Sequence, residues 1–174
     1  MIIKRVFISA LLMVAFTSVH AQLDTAFAKA GIRRCGDSLV YSFRHKDWDL
    51  FAKYTNPAMI GSMGGLADFK TFMSQLFYNI PDSAWKEYRI GNILQVVKTP
   101  GELQTIIELK TVIQWQGTRI RSTSHLIGQS WDGGYYWTFF DSQGDPTSAR
   151  LIKPDLSKEI IIPQRVEKTE PIGH

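Results

Sequence analysis

Between Glu102 and Trp131 the sequence alternates apolar and polar residues around one break, Gln116-Gly117. Period-two alternation marks a strand with one buried face, and a two-residue break ending in Gly marks a hairpin. Placing Gln116 and Gly117 at the turn sets Trp115 against Thr118 and fixes every pair behind them. One face then carries Leu103, Thr105, Ile107, Leu109, Thr111, Ile113 and Trp115 beside Ile120, Ser122, Ser124, Leu126 and Gly128. The other carries Gln104, Glu108, Lys110 and Gln114 beside Arg119, Arg121, Thr123, His125 and Gln129. A turn of another length would exchange the faces. The first face is expected to meet helices and the second to meet water or a partner.

The hairpin sits inside a longer meander. Tyr88–Lys98, Glu102–Gln116, Arg119–Trp131 and Tyr135–Asp141 read as strands, broken at Thr99-Pro100-Gly101, Gln116-Gly117 and Asp132-Gly133-Gly134. Upstream the period is helical. Leu39, Val40, Phe43, Leu50, Phe51 and Tyr54 predict a helix from about Leu23 to Tyr54, or two joined near His45-Lys46-Asp47. Asn56-Pro57 should end it, and Gly61, Gly64 and Gly65 should form a flexible turn. Phe69, Phe72, Met73, Leu76, Phe77 and Ile80 then trace an amphipathic helix, with Asp68 in its first turn and Pro81 as its stop. That aromatic stripe is read as core packing. Beyond Asp141, residues 142–150 read as a loop, Pro154–Ser157 as a turn and Ile160–Ile162 as an extra edge strand. Helices followed by a sheet predict an α+β layer.

Residues 1–21 are expected to be a cleaved signal peptide. Lys4 and Arg5 precede an apolar run from Val6 to Phe16, and Val19-His20-Ala21 has the small-residue pattern of a cleavage site. The run is too short for a membrane anchor, and no Cys at the junction suggests a lipoprotein. Export to the periplasm or cell exterior follows, with residues 22–163 as one domain and residues 164–174 as a flexible tail. Losing Lys4 and Arg5 halves the formal charge of +4. With no Lys/Arg run interleaved with aromatics, nucleic acid is not an expected partner. The single cysteine, Cys35, cannot make an internal disulfide and is expected to be buried. No cofactor or metal is expected: there is no phosphate-binding or dinucleotide fingerprint, and His45, His125 and His174 lack metal-ligand spacing. Gly128-Gln129-Ser130-Trp131-Asp132-Gly133 is not a nucleophile elbow, because its Ser ends a hairpin strand.

The stretch His45-Lys46-Asp47-Trp48-Asp49-Leu50-Phe51, the step Gly64-Gly65 before Phe69, Phe72 and Phe77, and Tyr136-Trp137-Thr138-Phe139 share a pattern. Over residues 24–142 the chain resembles the nuclear-transport-factor-2-like (NTF2-like) superfamily, which includes ketosteroid isomerase and polyketide-cyclase-like proteins. The resemblance implies helices packed on the concave face of a curved antiparallel sheet, a cone that encloses a pocket. The family also implies a template of a carboxylate base facing Tyr and acid donors in an apolar interior. No acid stands out at an inward strand position, so no catalytic residue is carried across.

His125 lies across from Glu108 in the hairpin register, and Asp141 could oppose it on the next strand. Such a Glu-His-Asp row could exchange protons. The plainer reading, a cross-strand charge pair worth about 0.2–1 kcal/mol, is preferred. A pocket is expected from Phe43, Phe72, Trp85, Trp115 and Trp137, with Thr111 or Ser122 as polar fixings. The expected function is non-catalytic binding of a small apolar ligand, or an interaction role if aromatics fill the interior. The alternative is an isomerase- or cyclase-like enzyme that abstracts a proton. A homodimer through the polar side of the sheet is also expected.

Overall fold

The computed structural model describes residues 25–172, so the expected signal segment, its junction and His174 lie outside the described residues. Helix α1 (Thr25–Arg44) buries Ala28, Ile32, Cys35, Leu39, Val40 and Phe43 along one side. It stops where Lys46 adopts φ 53°. Asp47 then accepts a hydrogen bond from the Leu50 N–H and starts α2 (Trp48–Tyr54). The helical stretch is thus two helices meeting at His45-Lys46-Asp47.

Asn56-Pro57 does more than stop a helix. The Asn56 side chain accepts from the Ala58 N–H at 2.8 Å, and Pro57 opens a short helix α3 (Pro57–Ser62). A first helical residue needs no N–H, so proline suits that position. Gly61, expected in a turn, belongs to α3. Gly64 and Gly65, at φ 92° and 100°, make the bend before α4 (Leu66–Phe77).

A single 3-10 turn, Asp82–Ala84, leads to strands β1 (Trp85–Thr99), β2 (Glu102–Trp115), β3 (Thr118–Ser130) and β4 (Thr138–Asp141). Helix α5 (Pro146–Ile152) and strand β5 (Val166–Pro171) follow. Strands β1 to β4 pair antiparallel in chain order. The β2–β3 register is the one the turn dictates, with Trp115 opposite Thr118, Leu109 opposite Ser124 and Glu108 opposite His125. Gln116 and Gly117 both take positive φ, as a type I′ turn requires.

The first face packs on α1. Ile90, Leu103, Ile107, Leu109 and Leu126 join Ala28, Ile32, Cys35, Leu39, Trp137 and Phe139 in one cluster. Gly31 lets α1 approach the loop before β4, since a β-carbon there would collide with the Gly134 carbonyl oxygen. Trp137, fully buried, donates from Nε1 to that same carbonyl.

The second face differs from expectation. Its polar residues are interrupted by Ile106 and Ile127, which pack with Phe140 under Ala149, Leu156 and Ile160. Residues 142–162 therefore lie across half of that face. Within them, the expected loop at 142–150 contains α5, capped by Asp145 through the Thr147 and Ser148 N–H groups. The stretch Ile160–Ile162 is not a strand, and its Ile160 is buried in the cover.

The expected curved cone is corrected by this arrangement. The sheet is open, neither curled nor closed, with β1 at one edge and β4 and β5 sharing the other. β4 pairs with Leu126–Gln129 of β3, and β5 with Thr118–Thr123. The physical reason is that apolar clusters on both faces call for cover on both sides, so the sheet is a middle layer and not the wall of one enclosed interior. The C-terminal residues expected to be loose are also corrected, because 166–171 form β5.

Candidate functional site

A cavity of about 220 Å³ lies between the helices and the first face of the sheet. Its walls come from Leu39 and Phe43 of α1, Phe51 of α2, Met59 of α3, and Phe69, Phe72, Met73, Leu76 and Phe77 of α4. The sheet contributes Tyr88, Leu109, Leu126, Phe139, Phe140 and Asp141. Thr55, Met63 and Gln143 complete the lining. Every methionine among the described residues faces this one space. Methionine is flexible and polarizable, so a wall rich in it adapts to the shape of a guest.

The helix layer is tied to the sheet beside the cavity, at Thr55 and Phe139 of its lining. The Asn56 N–H donates to the Phe139 carbonyl at 2.8 Å, and Thr55 bridges Phe139 in parallel. Phe43 forms the centre of the aromatic wall. It stacks on Tyr88 with ring centroids 4.3 Å apart, and meets Phe77 and Trp85 edge-on at 4.8 and 5.0 Å. Phe72 and Leu76, one turn apart on α4, are both about half exposed and line the cavity where it meets solvent.

Tyr88 and Asp141 are the ionisable groups of the lining. The Tyr88 phenol is pushed well above the ordinary phenol range, first by burial and then by the nearby Asp141 carboxylate. It is neutral at any physiological pH, a hydrogen-bond donor and acceptor. Asp141 accepts from the Gln143 N–H at 2.7 Å through one oxygen.

Several residues singled out in the sequence lie elsewhere. Of the expected pocket residues, Phe43 and Phe72 line the cavity, whereas Trp85, Thr111, Trp115, Ser122 and Trp137 do not. Trp137 is committed to the core under α1, and Trp85 packs behind Phe43 and Phe77. Trp115 sits exposed at the hairpin end. Thr111 and Ser122 border a shallow polar groove against β5 with Lys110, Arg121 and Lys168.

Glu108 and His125 do face each other, but Asp141 opposes Leu126 and so points to the other side of the sheet. No Glu-His-Asp row forms. Glu108 accepts from the Asn92 N–H at 3.0 Å, and this bond, with Lys110 at 3.5 Å outweighing the cost of burial, holds its carboxyl below the usual range. His125 is buried, with no partner for Nδ1 among the described residues.

Sequence reasoning undervalued Asp141 and missed Tyr88 and the methionines. The signal was present: Phe139 and Asp141 alternate onto one face of β4, and Met59, Met63 and Met73 cluster within a short helical stretch. Among the described residues, no group of three or more His, Cys, Asp or Glu side chains is placed to hold a metal ion. No described helix is long and apolar enough to cross a membrane. No protein-family model and no curated protein sequence matches the chain.

Proposed function

We propose that this is an exported protein that binds a small, largely apolar ligand in the cavity between its helices and sheet. The observation that carries the reading is the lining itself: aromatic and methionine side chains around a cavity, with a few polar groups, Thr55, Tyr88, Asp141 and Gln143, among them. A protein interior normally closes over a gap of this size, because unfilled apolar volume costs stability. The export half of the proposal rests on residues 1–21.

The ligand half is tested by labelling methionine methyl groups with 13C and titrating 1-octanol. Resonances of Met59, Met63 and Met73 should shift together and saturably. Unmoved methyl signals would remove the reading. Met63→Trp, which fills the space, should abolish the shifts of the other two.

One observation favours a second reading, an isomerase- or cyclase-like enzyme. A carboxylate and a neutral phenol line the same apolar space, as proton abstraction beside a carbonyl requires. Asp141 would take the proton and Tyr88 would donate to the developing oxyanion. An apolar ketone incubated in deuterated water should then exchange its α-protons. Asp141→Asn should slow that exchange by about 100-fold or more. No protein-dependent exchange would leave binding alone.

A further inference from the structure

Resting on the cavity as a binding site, we propose that its ligand is an apolar molecule carrying a protonated amine, with Asp141 receiving the ammonium group. The lining contains one carboxylate and no Lys, Arg or His. No cation pairs with Asp141 among the described residues, and the hydrogen bond its carboxylate accepts there is the one from the Gln143 N–H. Arg165, which reaches Gln143, is itself paired with Glu167.

A carboxylate beside apolar walls gains most from a guest that brings the opposite charge and an N–H donor. A fatty acid would set a second carboxylate against the first. A neutral alcohol could donate one hydrogen bond but would leave the charge uncompensated. Phe43 and Tyr88 stack on each other, which closes those ring faces to a guest, so recognition of the charge falls to Asp141. Tyr88 cannot serve as counter-ion to an acid, being a neutral phenol, but it can accept a second ammonium proton. Long-range electrostatics work weakly against the proposal: the half of the +4 formal charge that remains without Lys4 and Arg5 repels amines and attracts carboxylates. Selectivity for an amine would therefore come from the site.

The test is a set of matched headgroups on one tail: octylamine, 1-octanol and octanoate. Each is titrated below its aggregation concentration by calorimetry at neutral pH, against wild type and Asp141→Asn. Wild type should bind octylamine about tenfold or more tighter than octanol, and octanoate weakest. Asp141→Asn, which keeps an acceptor for the Gln143 N–H, should bring octylamine to the level of octanol. Equal binding of all three ligands by wild type, or an amine preference that survives Asp141→Asn, would overturn the headgroup assignment and leave apolar binding intact. Binding of none of the three would overturn the binding reading and this inference with it. The wild-type series carries the test even if the variant fails to fold.

Discussion

The two faces of the sheet are covered in opposite ways. The first face meets helices through large side chains and is left with an unfilled, adaptable space. The second meets a segment with little regular structure, yet it is closed by specific polar contacts. Gln104 donates to the Asp155 carbonyl and accepts from the Ser157 N–H at 2.8 Å. Gln95 accepts from the Ile161 N–H at 2.9 Å and donates to the Glu159 carbonyl. Two glutamine side chains thus do for an irregular segment what a neighbouring strand does for a regular one, giving its backbone groups fixed partners.

Under that segment lies an ion pair, Lys153 Nζ to Glu102 Oε1 at 2.6 Å, with both side chains about 5% exposed. Lys153 also reaches Asp155 at 3.0 Å, and Gln104 donates to Glu102 at 2.6 Å. The difference teaches which face is built to hold and which to yield: polar networks fix one geometry, while methionines and half-exposed aromatics accept several.

The contrast can be broken most forcefully at Lys153. Lys153→Ala leaves Glu102 buried and uncompensated and should cost about 3–5 kcal/mol, read as a drop in denaturant midpoint. Adding Glu102→Gln should restore much of that loss, because the stranded charge is gone. Ile106→Ala, in the apolar part of the same cover, should cost about 2–5 kcal/mol. Equal tolerance of both substitutions would show that the second face is no tighter than the first.

Glu108 sharpens the comparison through pH. Its folded-state pKa is depressed, so the ionised carboxylate adds stability above the unfolded value and loses it as pH falls through the folded one. Glu108→Gln should therefore flatten the acid limb of the stability profile below the ordinary carboxylate range and lower stability at neutral pH. An unchanged acid limb would show that Glu108 is not a source of it. The smallest effect is expected at the mouth of the cavity. Phe72→Ala, about half exposed, should alter melting by about 0.5 kcal/mol or less while changing the affinity for octanol.

How much of this was legible in the sequence depends on where the physics was local. The hairpin register followed from Gln116-Gly117 alone, because a two-residue turn leaves the strands no freedom to slip. The break at His45-Lys46-Asp47 and the amphipathic stripe of α4 were equally readable. The second face was misread because its charged residues drew attention from Ile106 and Ile127, which alternate with them. Those two isoleucines already announced a cover. β5 was missed for a different reason: Val166–Pro171 is polar and mostly exposed, so it is held by ladder bonds to β3 and not by any apolar pattern. The cavity was partly legible. Aromatics were expected around it, but which of them fill space and which border it depends on packing across four helices, where sequence spacing says little. Whether Asp141 opposes His125 was left open by the sequence, because the length of the loop from Asp132 to Trp137 sets which strand position it meets, and it meets Leu126. That loop is fixed by Asp132, which accepts from the Tyr135 and Tyr136 N–H groups.

The way β4 and β5 divide one edge of β3 also bears on the order of assembly. The chain leaves the sheet after Asp141, crosses the second face and re-enters beside Thr123 at Val166. Its last strand can dock only on a β3 that is already in register with β2. Contacts such as Thr118 with Pro171 span a long stretch of sequence and close late, since the loop entropy must be lost before the pairing compensates for it. Until residues 142–162 fold over the second face, Ile106, Ile127 and Phe140 stand uncovered. An apolar patch left open in this way is the surface most prone to aggregate during folding, and Ala149, Leu156 and Ile160 are the residues that remove it.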